Sequence, residues 1–483
     1  IAKIFSNSKK KILKFTTKKI VNLQKLFLII SDLFSLVLSL IIANSIVNFV
    51  RPGDHYTNIS NIGIAKLFGL LVIVVFWYQE HYSKRRPIWE ELRILYKTIF
   101  IFAILHLGIS YLFSHHVIKF LNVVFWPSLM IILPFMRYLI KITLKSLKLW
   151  NRGVYIIGVG SNAKLTYDLL LENKILGYDI CGFINLSDKL HDIEVKGVPV
   201  LTYEEFLEKK DLPLDTEIIF AISTDELLNN INKINWLQSK FKFVSIVPDI
   251  LGIPLYGVEL DHFFGSDQLF LRLQNNLGSR FNRWIKRIMD IIVSFIAIIL
   301  LLPVFLIIAC TIKLTTKCKV FFLHKRVGHD GKEFLCIKFQ TMYPDSNLIL
   351  ERILAEDPEA RLSWEKDFKL KNDPRITSIG KFLRKTSLDE LPQLLNVLAG
   401  DMSLVGPRPI IEKEIERYKD DFYYYKLVRP GISGLWQISG RSDLDYTKRV
   451  RLDVWYVKNW SLWYDFVILL KTILVVLKRD GAY

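Results

Sequence analysis

Apolar residues in this chain follow two patterns. Four long runs fill the first third, at residues 26–50, 64–78, 99–113 and 120–142. The first and last suit a membrane-crossing helix of about 20 residues, and the middle two reach that length with their flanking aromatics. After residue 150 the runs shorten to strand length. "RGVYIIGVGSNAKLTYDLL" (152–170) reads as a buried strand, a glycine turn and a helix start, and "YDICGFIN", "TEIIFAIS" and "KFVSIVPD" supply further strands. Together they predict a small α/β domain. A long apolar run returns in "RWIKRIMDIIVSFIAIILLLPVFLIIACTIKLTTK" (283–317), followed by shorter, mainly helical segments.

Charge orients these pieces. Eight lysines from Lys3 to Lys25 precede the first run; Lys84, Arg85, Arg86 and Arg93 follow the second, and Lys141, Lys145, Lys148 and Arg152 follow the fourth. The loops near 51–63 and 114–119 carry few cations, so the positive-inside rule predicts four transmembrane helices with both ends cytoplasmic. No small-residue cleavage site follows the first lysines, so the first run is expected to stay in the membrane. The run at 283–317 is basic on both flanks, and Pro303 in its middle removes a helix hydrogen bond and permits a kink. A re-entrant helix pair over 284–316, dipping into the inner leaflet and returning, keeps the following residues cytoplasmic; a kinked spanning helix is the alternative. The predicted domains are thus a four-helix transmembrane region (1–150), a Rossmann-like cytoplasmic α/β domain (151–265) and a mainly helical domain with a re-entrant membrane helix (280–483).

Composition agrees with a membrane protein bearing large soluble parts: 51% of residues are hydrophobic and 23% charged, with a mean hydropathy of +0.28. A net charge of +18 points to anionic lipid or phosphate-bearing substrates rather than nucleic acid. The four cysteines have neither CxxC spacing nor metal-ligand partners, which excludes a disulfide framework or zinc-thiolate site. Asp32 lies inside the first run and reads as an acid paired with a neighbouring helix. Gly158, Gly160 and Ala163 fit GxGxxA, a turn that suits a dinucleotide pyrophosphate. Asn185 stands where a ribose-binding acid is expected and no Tyr-x-x-x-Lys pair occurs, so the glycines also fit a purely structural turn.

The densest chemistry is in "TSLDELPQLLNVLAGDMSLVGPRP" (386–409). Ser387 and Glu390 fit a capping box, with a leucine face behind and Gly400 as a stop. That helix would place Asp389 and Glu390 in its first turn, where an anion or phosphate settles; Pro392 strains the boundary. Arg384, Arg408, Arg429 and Arg441 surround the pair in sequence, and rigid guanidinium groups suit a diphosphate. The acids then either bind Mg²⁺ with substrate phosphates or supply a nucleophile. The helix dipole and metal would keep Asp389 ionised.

These motifs, with "FFLHKRVGHDGKEFLCIKFQTM", "YKLVRPGISGLWQISGR" and "NWSLWYDFVILLKTILVVLKRDGAY", resemble the bacterial sugar transferases, the polyprenyl-phosphate hexose-1-phosphate transferases, over about residues 280–483. The C-terminal segment is most similar to the undecaprenyl-phosphate galactose phosphotransferases. The resemblance implies a multi-pass protein of the bacterial inner membrane that moves a sugar 1-phosphate from a UDP-sugar to undecaprenyl phosphate, releases UMP and starts a polysaccharide. It assigns Asp389 as the nucleophile that forms a phosphosugar-aspartyl intermediate, Glu390 to Mg²⁺, and Lys338, Arg384, Arg408, Arg429 and Arg441 to substrate contacts. Galactose is the expected sugar, glucose the next; a membrane-tethered NAD-dependent nucleotide-sugar dehydratase is the competing enzyme class. Assembly is left open, a homo-oligomer included.

Two departures from the family pattern stand out. Gln340 occupies the place of a family arginine in KFRTM. Leu302 replaces a serine before Pro303, so no hydroxyl meets the freed backbone. The stretch 461–479, with Asp465 and Lys471, is expected to be an interfacial amphipathic helix, and the tyrosines 423–425 to pack rather than to stack on uridine.

Overall fold

The computed structural model describes residues 2–50, 59–113, 116–186, 194–209, 212–213, 216–249, 253, 257–262, 269–274, 276–316, 319–359, 361, 364, 370, 373–440 and 444–478. It is largely helical, with several long apolar helices and a mixed sheet. The chain divides into two compact units, Ile1–Leu251 and Gly252–Tyr483.

The first unit opens with helices α1 (Ala2–Val50), α2 (Ile59–Tyr78), α3 (Ile88–Phe113) and α4 (His116–Ser146). Helix α3 starts well before its apolar run, because its first turns carry the polar residues Glu90, Glu91 and Arg93. Helix α1 packs on α4 and α2, and α3 on its two neighbours. Leu36, Phe76, Ile99, Phe125 and Leu133 are buried, yet Phe34, Trp77, Phe100, Ile131 and Phe135 face outward. Helices apolar on both sides belong in lipid. Val21–Val50, Ile88–Leu112 and Phe120–Ser146 are long and apolar enough to cross a bilayer, and Gly63–Tyr78 is a shorter apolar helix.

Asp32 is fully buried, as expected of a paired acid. Arg137 donates to it from Nε at 2.8 Å and Nη2 at 2.5 Å, and the Tyr82 hydroxyl at 2.6 Å. Arg137 also reaches Glu91 at 3.3 Å, and Glu91 pairs with Lys141. Buried charges persist only when paired in this way.

A six-stranded sheet follows: β1 (Arg152–Ile157), β2 (Tyr178–Asn185), β3 (Glu194–Val195), β4 (Val198–Thr202), β5 (Glu217–Phe220) and β6 (Phe243–Ile246). The spatial order is β3-β4-β2-β1-β5-β6, parallel except for the β3–β4 pair. Val154 and Ile156 pack with Ala163 on one face, Tyr155 and Ile157 with Phe206 and Leu237 on the other. Burial on both faces explains the continuous apolar strands. At Gly158, φ is +115° and an added Cβ would lie 2.7 Å from the Ala221 carbonyl oxygen; the turn itself requires this glycine.

In the second unit Arg280–Thr316 is one helix that runs through Pro303, which corrects the expected helix pair, and it too is long and apolar enough to cross a bilayer. Its beginning is tied down. Lys286 bonds Asp465 at 2.6 Å and the Val405 carbonyl at 3.1 Å; Arg287 caps the carbonyls of Val397 and Leu398 at 2.5 and 2.8 Å; buried Asp290 accepts from the Ser403 hydroxyl at 2.8 Å. Its last turns bury Ile308 and Ile312 against Phe339 and Leu383. Between these anchors Leu300, Leu302, Leu306 and Ile307 are exposed.

The C-terminal helix, Leu462–Lys478, corrects the interfacial expectation for one of its faces. Asp465 is fully buried and receives Lys286, Tyr456 at 2.7 Å and Trp460 at 3.1 Å, while Val467 and Ile468 enter the interior. The acid marks the domain side of the helix, because a buried carboxylate with three donors is stable where an unpaired one is not. Phe466, Leu470, Ile473 and Leu474 remain exposed on the other face.

Candidate active site

The site is built on a β-hairpin. Strands Phe321–Val327 and Glu333–Phe339 pair antiparallel, with Cys336 opposite His324 and Phe334 opposite Arg326. Residues two apart share a face of a strand, so Cys336, Lys338, His324 and Arg326 lie on one side. The hairpin is fixed to the Gln393–Ala399 helix by Asn396. Its side chain accepts from the Ile337 N–H at 2.9 Å and donates to the Leu335 carbonyl at 2.8 Å. This pins the strand beside the acidic pair.

The local fold at the acids differs from the capping-box expectation. Ser387 is left-handed (φ 56°) and makes no side-chain cap; Leu388–Glu390 form a single 3₁₀ turn, and the α-helix begins at Gln393 after Pro392. Pro392 has no N–H to bond back one turn, so the α-helical ladder starts only beyond it. Asp389 and Glu390 therefore precede the α-helix instead of occupying its first turn, and the dipole contributes less than expected. Gly400 ends the helix as predicted, in a left-handed conformation.

The two acids have different surroundings. Glu390 lines a small cavity with Lys338, Arg326, Cys336, Arg408 and Gln437. Lys338 Nζ donates to Glu390 Oε1 at 2.7 Å. Burial alone would raise the Glu390 carboxyl, but Lys338, Arg408 and Arg326 overcome it and hold the group near 2. Asp389 is buried and in no ion pair among the described residues. Burial and the Glu390 charge push its carboxyl up to about 6, against the pull of Lys338 and Arg384. A carboxyl raised this far still gives up its proton below neutrality, so Asp389 is ionised for the most part at neutral pH from the protein surroundings alone.

The predicted cations divide. Lys338 and Arg408 meet at the cavity. Arg384 stands near Asp389, its Nε donating to Thr341 Oγ1 at 3.0 Å. Arg429 is exposed and engaged elsewhere, donating to the Gly400 carbonyl at 2.7 Å. Arg441 lies outside the described residues. Gln340 spends its amide on the Met342 carbonyl at 2.7 Å, and Tyr425 is buried, its hydroxyl donating to the Val327 carbonyl at 2.7 Å. The strand Ser403–Val405, which leads into "GPRP", pairs parallel with Gly431–Ser433 of "RPGISG". A Cβ on Gly431 would lie 2.1 Å from the Gly406 nitrogen, so the two segments hold Arg408 by backbone contact.

Sequence reasoning missed Arg326, Gln393 and Gln437 as wall residues. All three stand inside the quoted motifs, and strand alternation from Lys338 through Cys336 to the paired Arg326 would have found the first. Cys181, Cys310 and Cys336 are free thiols. Among the described residues no three Asp, Glu, His or Cys side chains converge. A divalent ion here would have a carboxylate such as Glu390 from the protein and would need substrate phosphates for most of its other ligands, which is a donor set Mg²⁺ accepts.

Residues 281–479 match the family model for bacterial sugar transferases. The chain is 41% identical over 482 residues to a UDP-galactose-lipid carrier transferase of Erwinia amylovora, covering 98% of this chain and 99% of that protein. It is 42% identical over 476 residues to an undecaprenyl-phosphate galactose phosphotransferase of Salmonella typhimurium, covering 95% and 97%. The exopolysaccharide production protein ExoY of Rhizobium meliloti is 47% identical over 198 residues, 41% of this chain and 88% of that one. The chain belongs to the bacterial sugar transferase family and is an enzyme of that class.

Proposed function

We propose that this protein transfers galactose 1-phosphate from UDP-galactose to undecaprenyl phosphate, with UMP as the second product. The observation that carries the residue roles is the asymmetry of the acidic pair: Glu390 is fixed by Lys338 as a permanent anion, whereas Asp389 is buried, in no ion pair among the described residues, and titrates near 6. Asp389 is the nucleophile. A carboxylate oxygen of Asp389 attacks the sugar-bearing phosphorus, and the bond from that phosphorus to the bridging oxygen breaks, its electron pair leaving on UMP. An oxygen of the lipid phosphate then attacks the same phosphorus and displaces the aspartate. Each step exchanges one P–O bond for another, so the reaction needs no redox partner.

Lys338, Arg408, Arg384 and Arg326 neutralise the diphosphate as charge moves to the leaving UMP. Glu390 is the residue that would hold Mg²⁺, which when bound adds Lewis-acid withdrawal of phosphoryl charge. Arg429 and Arg441 are kept as contacts to the lipid phosphate or uridine. The four helices α1–α4 are read as four spans, residues 151–265 as a Rossmann-like domain and 280–483 as the catalytic domain. The Arg280–Thr316 helix is read as re-entrant: both its ends dock on one unit, and in its middle Ala297, Ile298 and Leu301 pack on that unit while Leu300, Leu302, Leu306 and Ile307 stay exposed. That dip brings the acidic pair to the inner face of the bacterial membrane, where the carrier phosphate lies.

The test is turnover of UDP-galactose with undecaprenyl phosphate, scored by UMP release alongside UDP-glucose and other UDP-sugars. UDP-galactose should be turned over fastest, and Asp389→Asn should abolish release. Full turnover by that variant would remove Asp389 as the nucleophile.

A further inference from the structure

We infer that the first unit contains a second site, for a phosphate group, where the apolar helices meet the sheet. The cavity there measures about 70 Å³; one water needs roughly 10–15 Å³ by the same measure. It therefore has room for a phosphate group. Lys25 of α1, Lys84, Arg85 and Arg86 of the α2–α3 loop, Lys141 of α4, and Arg152 and Lys242 beside the sheet line it, with no acidic side chain in the wall. Glu80, Glu91 and Glu217, outside the wall, pair with Lys84, Lys141 and Arg152. Lys25 and Lys242 are in no ion pair among the described residues.

The second observation is a set of unmet donors. His81, Arg86 and Arg152 all line this cavity. Among the described residues, His81 Nε2, Arg86 Nη1 and Arg152 Nε are buried without a hydrogen-bond partner. Arg137 Nη1 contacts His81 Nδ1 at 3.3 Å. A guanidinium can only donate, so Nδ1 accepts and Nε2 carries the proton. Two unpaired lysines and five further cations around one cavity without an acid in its wall call for an anion with several acceptor oxygens, and the three unmet donors lie on side chains of that wall. Phosphate has that chemistry. Lys25 directly precedes the apolar run that starts at Leu26, so the phosphate belongs either to an anionic lipid headgroup at the bilayer surface or to a water-soluble phosphate ester.

The full-length protein in phosphatidylcholine nanodiscs would be titrated with inorganic phosphate by calorimetry. In a second arm, discs that also contain phosphatidylglycerol would be examined by native mass spectrometry for retained lipid. The double variant Lys25→Gln/Lys242→Gln tests the site, with Lys196→Gln as a surface control and melting temperature as the check on folding. Saturable phosphate binding that weakens about tenfold or more in the folded double variant supports a soluble ligand, the order expected for lost charge-assisted contacts. Retained phosphatidylglycerol that is lost in the double variant supports a lipid headgroup. Binding in neither arm, or binding unchanged by the double variant, overturns the proposal. If the double variant does not fold, Arg86→Gln is measured in the same two arms under the same criteria.

Discussion

Replacing Lys338 by glutamine should shift the acid limb of the pH–rate profile. Lys338 Nζ is 2.7 Å from Glu390 Oε1, and the two side chains are 19% and 25% exposed. The fall of the Glu390 carboxyl from 4.5 to about 2 corresponds to about 3 kcal/mol of preference for its ionised form, at about 1.36 kcal/mol for each tenfold change in acidity. This stabilisation of the fold is complete above pH 4.5 and fades as pH falls toward 2. Asp389 has the opposite balance, its carboxyl raised to about 6 by burial and by Glu390, with Lys338 pulling it down. In Lys338→Gln that pull is gone, and the Asp389 carboxyl climbs further. UMP release at low UDP-galactose concentration reports kcat/KM and hence the free enzyme. The acid limb of the variant should lie at higher pH than that of the wild type, with activity partly recovered at alkaline pH. A limb that stays at its wild-type position while activity falls equally at every pH would refute the electrostatic role given to Lys338.

Three other outcomes follow from the same geometry. Asp389→Asn should melt higher than wild type above pH 6, by the equivalent of roughly 2–3 kcal/mol, and match it below pH 4: the raised carboxyl costs stability as pH climbs from 3.8 through about 6. Thermal unfolding in detergent at the two pH values measures the difference. Asn396→Ala should lose about 2–4 kcal/mol, because the Ile337 N–H and Leu335 carbonyl both lose their side-chain partner; a melting temperature within error of wild type would contradict this. Arg137→Met should lose about 3–5 kcal/mol by leaving Asp32 buried and unpaired, and Asp32→Asn in the same chain should restore part of that loss; the four melting curves of this cycle give the coupling directly.

How much of this was legible before the structure depends on the kind of signal. The apolar runs and their basic flanks announced the long helices, and the continuous strand at 152–157 announced a sheet buried on both faces. Asp32 was recognisable as a paired acid, because an unpaired charge at that depth could not persist. The local error at 387–392 had a definite cause. Ser-x-x-Glu carries a capping signal, but Pro392 removes the N–H that would continue the α-helical ladder, and the proline prevails. The C-terminal helix was harder: Asp465 looks like the polar face of a surface helix until Lys286, far away in sequence, supplies its partner. Arg326 and Gln437 escaped notice because long-range strand pairing and the Gly431–Gly406 contact, not spacing along the chain, bring them to the acids.

The central claim is that Asp389 becomes esterified by the sugar phosphate during turnover. The direct measurement is rapid acid quenching of wild-type protein with UDP-galactose and no lipid acceptor, followed by peptide mass spectrometry. The account predicts a hexosyl-phosphate adduct on the peptide carrying Asp389, absent from Asp389→Asn and discharged by undecaprenyl phosphate. UMP release with this peptide unmodified, or an adduct on a different residue, would contradict it.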